Sequence, residues 1–96
     1  MHMTYRELEF VDAIIENTTP SGYADLGEVL AFLEFYTPRQ VHATIGSLIA
    51  KGAVTKGTEG RFVTLTVTDA GREAFERELV IERIKAIDAA MLANAY

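Results

Sequence analysis

The sequence predicts an α+β fold, mainly α: a three-helix core, a β-hairpin and a long C-terminal helix. Three observations predict it. Before Gly52, apolar residues recur at helical spacing behind capping residues in three separate runs. Two short β-type segments then flank Gly57-Thr58-Glu59-Gly60, the composition of a hairpin tip. After Thr68 an apolar stripe with a spacing of about 3.5 runs almost to the C-terminus. A chain of 96 residues holds one domain with a modest single core.

The first helix is announced by Thr4-x-x-Glu7, a capping box in which hydroxyl and carboxylate each satisfy an orphan backbone donor. Tyr5, Leu8, Val11, Ile14 and Ile15 follow as its apolar face, with Arg6, Glu9, Asp12 and Glu16 opposite. Residues 17–22 form a loop by composition, and Tyr23-Ala24 is a candidate edge strand for the later hairpin. Asp25-x-x-Glu28 starts a short second helix with Leu26, Val29, Leu30 and Leu33 on its buried side. Thr37 caps the third helix, and Pro38 suits its first position, which needs no backbone donor. Val41, Ile45, Leu48 and Ile49 point to the core, and Lys51-Gly52 ends the helix. Ala53–Lys56 and Arg61–Val67 are strands, the second with Val63, Leu65 and Val67 inward and Thr64 and Thr66 outward. Thr68 caps the last helix, which extends from Asp69 to about Ala93, roughly 37 Å of helix.

Composition excludes several function classes. An apolar fraction of 49% with 24% charged residues is ordinary for a soluble globular chain, so disorder is not expected. With no cysteine there are no disulfides or thiolate metal sites, and His2 and His42 stand apart without clustered acids, so no metal or cofactor is expected. No apolar run approaches a membrane span, and Met1-His2-Met3-Thr4 lacks the features of a signal peptide, which favours the cytoplasm and no membrane partner. No nucleophile elbow, phosphate-binding glycine loop or zinc-hydrolase motif occurs, so an enzyme is not expected. Acids and bases interleave along the last helix, with Arg72–Glu76 and Glu73–Arg77 as i,i+4 pairs on a solvated face.

Charge is unevenly spread. Thr37 to Arg61 holds Arg39, Lys51, Lys56 and Arg61 against Glu59, a balance of +3 in a chain of −5, which leaves −8 for the remainder. A pI of about 4.9 argues against nucleic acid as a default partner. Exposed charges are screened beyond about 8–10 Å, however, so the local patch is what a phosphate feels.

The joint order of Val41, Leu48 and Gly52, a glycine-tipped hairpin, and then Thr66 or Thr68, Asp69, Gly71 and Arg72 resembles the winged helix-turn-helix transcription regulators of the MarR and PadR type. With the two preceding helices the resemblance covers nearly the whole chain. It implies a winged-helix DNA-binding-type domain over residues 1–72, with residues 73–96 a dimerisation helix continuous with it. The partners it implies are double-stranded DNA and a second copy. On the third helix it implies that Arg39, Gln40 and His42 read the major groove, with the small residues Ala43, Gly46 and Ser47 allowing close approach. Ser47, Lys51, Lys56, Thr58 and Arg61 would hold phosphates or the minor groove. Val80, Ile84, Ile87 and Met91 on the apolar stripe would form the homodimer interface.

Two other readings remain open. The pI, Glu59 at the hairpin tip and the acidic second and last helices also suit a winged-helix protein-interaction module, an adaptor or inhibitor that binds no DNA. The cluster Phe32, Phe35 and Tyr36 also suits a weaker third reading, a ligand pocket beneath the last helix, although core and interface packing is the commoner role of such a cluster.

Overall fold

The structure, a computed structural model, describes the backbone of residues 1–94 and the side chains of residues 1–81. Ile84, Ile87 and Met91, three of the four residues expected at a dimer interface, lie outside the residues whose side chains are described. Seven elements follow one another: α1 (Tyr5–Asn17), β1 (Ala24–Asp25), α2 (Leu26–Phe32), α3 (Pro38–Ala50), β2 (Val54–Glu59), β3 (Phe62–Val67) and α4 (Asp69–Asn94). Among the described residues this is a small α+β fold, mainly helical, with four helices and one three-stranded antiparallel sheet of order β1-β3-β2. That order is compatible with a winged helix.

The helix starts follow the capping chemistry. Thr4 Oγ1 accepts from the Glu7 amide at 3.2 Å, and Glu7 Oε1 accepts from the Thr4 amide at 2.9 Å. Asp25 Oδ1 accepts from the Glu28 amide at 3.2 Å. At the end of α3 the amides of Gly52 and Ala53 donate to the carbonyls of Ile49 and Leu48. This is a Schellman closure, and it requires the φ of +78° that Gly52 adopts.

The core is built from Phe10, Val11 and Ile14 of α1, Val29 of α2, Leu48 of α3, Val54 and Leu65 of the sheet, and Ala74 and Phe75 of α4. Met3 completes it from ahead of α1. As the residue before the Thr4 cap, Met3 stands in the position that pairs with Leu8 in a hydrophobic staple, and both are buried. Tyr5 was expected on this face and instead is 72% exposed, because Met3 fills the place at the head of the helix.

Four further side chains depart from the expected pattern. Leu30 and Ile49 lie at the edge of their helices' buried faces and are exposed, while Thr44, between Val41 and Leu48, is buried. Its hydroxyl is satisfied by donating to the Gln40 carbonyl at 2.7 Å. Thr64 is buried as well, although it alternates outward, because β3 is the central strand and Asp25 and Gly57 flank Thr64 on both sides. On α4, neither Arg72–Glu76 nor Glu73–Arg77 closes to within 4 Å. Exposed pairs of this kind gain little in water against the entropy of fixing two long side chains. No described helix is long and apolar enough to cross a membrane.

Candidate nucleic-acid interface

α3 carries most of the residues in question. Its N-terminus is fixed by a second capping box: Thr37 Oγ1 accepts from the Gln40 amide at 3.2 Å, and Gln40 Oε1 accepts from the Thr37 amide at 2.9 Å. Thr37-x-x-Gln40 has the same form as Thr4-x-x-Glu7, so the sequence held this signal for Gln40. Gln40 is half-buried and its carbonyl is engaged in the cap. To grip an adenine edge through both ends of its amide it must leave that position. Arg39, His42, Ala43 and Gly46 are exposed. Nothing stands within 4 Å of where a Gly46 Cβ would sit, which leaves this stretch of helix open to close approach.

Ser47 and Lys51, expected to hold phosphates, turn toward α1 instead. Lys51 Nζ donates to Glu7 Oε1 at 2.6 Å and to the His2 carbonyl at 2.9 Å. Ser47 Oγ donates to Glu7 Oε2 at 3.0 Å. Glu7 is only 3% exposed, so one buried carboxylate ties the chain start, α1 and the last turns of α3 together. Burial alone pushes the Glu7 carboxyl up. The hydrogen bonds from Lys51, Thr4 and Ser47 outweigh that and hold it below the ordinary glutamate range. The island of +3 in the sequence is therefore thinner at the surface than a count suggests.

The hairpin supplies the remaining cations. Register pairs Lys56 with Leu65 and Val54 with Val67, so Lys56 stands on the core-facing side of β2 beside a fully buried leucine. Its exposed head and His42 of α3 line the same cleft, and there helix and hairpin meet. Thr58, Glu59 and Arg61 are exposed around the tip, which turns at Gly60 with φ of +60°. Phe62, opposite Glu59, is exposed too, on the outward side of the alternation that turns Val63, Leu65 and Val67 inward. Arg39, Lys56 and Arg61 have no carboxylate within 4 Å among the described residues.

The cleft shared by His42 and Lys56 has a volume of about 350 Å³ and walls from α2, α3 and the sheet, chiefly Leu26, Leu33, Val41, Ile45 and Leu65. A second cleft, between α1 and α3, contains Ala43, Ser47 and Lys51 together with Arg6, Glu9 and Tyr36. Phe32, Phe35 and Tyr36, the residues of the alternative aromatic pocket, do not come together as a unit. Phe32 is exposed and Phe35 is 90% exposed, whereas Tyr36 packs against Phe10 with ring centroids 5.3 Å apart. The Tyr36 hydroxyl donates to Glu9 Oε2 at 2.6 Å, a bond that raises its pKa, with burial adding to the effect. The Arg6 guanidinium lies 5.5 Å from the same ring.

On α4, Val80 is 54% exposed and Ile81 is exposed beside it. One turn closer to the body, Glu78 accepts from or pairs with His2 Nδ1 at 3.2 Å. No group of three or more metal-ligating side chains occurs among the described residues. No protein-family model, curated protein or solved structure matches this chain.

Proposed function

We propose that the protein is a winged-helix regulator that binds double-stranded DNA as a homodimer, with α3 as recognition helix and the β2–β3 hairpin as wing. One observation carries the reading: His42 of α3 and Lys56 of β2 line one cleft, flanked in sequence by exposed Arg39 and Arg61, in the basic segment of an otherwise acidic chain. Arg39, His42 and the open surface at Ala43 and Gly46 contact base edges; Lys56, Thr58 and Arg61 contact phosphates or the minor groove. Ser47 and Lys51 drop out of the contact set because Glu7 holds them. Gln40 contributes only on leaving its cap.

Two phosphate-holding cations per subunit, Lys56 and Arg61, give about four phosphate contacts in a dimer, and hence a slope of log K against log salt of about −3.6. Fluorescence anisotropy on mixed-sequence duplexes across a salt series reads that slope. Absence of salt-sensitive binding by a folded dimer at low ionic strength would overturn the proposal. The dimer itself rests on the stripe that begins at exposed Val80 and Ile81 and continues in sequence through Ile84, Ile87 and Met91. Ile87→Glu is expected to give a monomer by light scattering where the unaltered chain is a dimer; a monomeric unaltered chain removes the interface.

A protein-interaction module is the second reading, favoured by the bare aromatic rings of Phe32, Phe35 and Phe62 and by the acidic total. The two separate by mutation. Arg39→Ala weakens a DNA complex, whereas Phe35→Ser leaves DNA affinity intact and weakens a complex made through the α2–α3 turn.

A further inference from the structure

The cleft between α2, α3 and the sheet has the make-up of a ligand site. Its volume of about 350 Å³ falls at the lower end of small-molecule sites, roughly 300–1,000 Å³, which are mostly apolar with a few placed polar groups. The walls here are aliphatic, and the floor is the row in which Leu65 pairs with Ala24 on one side and Lys56 on the other.

Lys56 is the cationic member. It pairs directly with a fully buried leucine, on the core-facing side of an edge strand, and has no carboxylate within 4 Å among the described residues. Its stem can lie along the apolar wall while the ammonium stays at the mouth. His42, on the facing helix, adds a ring nitrogen at the same cleft. Glu34, on the α2–α3 turn, also lines it but forms no ion pair with Lys56 within 4 Å.

We infer that this cleft binds an amphipathic monocarboxylate of medium chain length, its aliphatic tail between α2 and α3 and its carboxylate on the Lys56 ammonium. An uncharged apolar ligand would leave the ammonium at the mouth of the cleft unmatched, and an amphipathic cation would meet it head-on. Because Lys56 is also a proposed phosphate contact, a bound carboxylate would draw it from DNA. That consequence rests on the DNA reading; the site does not.

The test uses the whole chain without DNA, followed by amide NMR with decanoate, decanol and decylammonium, all below their micelle thresholds. Decanoate should give saturable one-to-one shifts centred on Leu26, Val41, Ile45 and Leu65, with affinity about tenfold above decanol and further above decylammonium. Lys56→Met should erase the preference for decanoate over decanol, and Glu34→Gln should raise it. Equal binding of the three probes by the unaltered chain would overturn the inference. So would shifts that gather on Phe32 and Phe35 or never saturate, or a preference that survives Lys56→Met in a protein whose spectrum remains folded.

Discussion

Gly71→Ala is expected to lower stability by about 2–4 kcal/mol, one of the largest effects available to a single methyl group in this chain. A Cβ built on Gly71 would lie 2.2 Å from the Ala53 carbonyl oxygen and 2.8 Å from the Ala53 carbonyl carbon and Cα. The obstacle is backbone, so no side chain can turn aside. It is also a junction: the Ala53 carbonyl accepts from the Thr68 amide at 2.9 Å, and Thr68 Oγ1 donates to the Gly52 carbonyl at 2.6 Å. The same hydroxyl oxygen accepts from the Gly71 amide at 3.0 Å, capping α4. Reaching an ordinary contact of about 3.5 Å moves the start of α4 outward by on the order of 1 Å. That shift strains the cap and lifts Ala74 and Phe75 from the core. Alanine's better helix propensity returns about 1 kcal/mol, too little to offset this. At about 4–8 °C per kcal/mol the melting midpoint should fall by about 8–32 °C, measured by circular dichroism. Gly46→Ala is the matched control. Gly46 sits inside α3 with open space at its Cβ, so the same substitution should stabilise by up to about 1 kcal/mol. Equal midpoints for the Gly71 variant and the unaltered chain would mean that α4 does not approach Ala53 so closely.

The contrast between those two glycines marks how far the sequence could be read. Helices, their order, the hairpin and the caps were legible because each has a local signal: Thr4-x-x-Glu7, Thr37-Pro38, Lys51-Gly52 and Gly60. Gly57, expected to bracket the tip with Gly60, instead pairs with Thr64 inside β2, so the turn is tighter than the composition implied. Burial at the ends of faces was not legible, since Tyr5, Leu30 and Ile49 satisfy the same periodicity as their buried neighbours. Only the assembled body determines where the core stops. The candidate site was read less well for the same reason. A lysine in a basic stretch reads as a phosphate contact, and no local pattern reveals a carboxylate 44 residues earlier that claims it. Glu7 looked complete as a capping residue. Its second duty, as the buried acceptor for Ser47 and Lys51, depends on how α1 crosses α3. The apolar cleft beside Lys56 likewise exists only once β2 is paired with β3.

Lys51→Met tests that second duty and separates it from a role on DNA. The substitution keeps the aliphatic stem and removes the ammonium, leaving Glu7 buried with the Thr4 amide and Ser47 hydroxyl alone. Removing one partner of a buried pair costs about 3–5 kcal/mol; with the Lys51 side chain 32% exposed, and water able to reach the gap, about 2–3 kcal/mol is expected at neutral pH. The loss should depend on pH with a definite sign. Glu7 has a folded-state pKa below its unfolded value, so it contributes stability that is present above the unfolded value and lost as pH falls through the folded one. Without Lys51 the largest lowering influence disappears and burial pushes the carboxyl up, so acid no longer removes a benefit that the variant lacks. The difference between variant and unaltered chain should therefore be widest near neutral pH, narrow as pH falls through the variant's raised value, and close only below the lowered value of the unaltered chain, where the carboxylate is protonated in both. Urea titrations at a series of pH values measure it, and a gap that is constant with pH would rule out the ion pair as its source. In a Glu7→Gln background, Lys51→Met should cost at least about 1 kcal/mol less than it does alone, since the charge it neutralised is gone. DNA supplies the independent check. If Lys51 is spent on Glu7, the salt slope of binding stays unchanged in the folded Lys51→Met variant; a slope shallower by about one unit per altered subunit would return Lys51 to the phosphates.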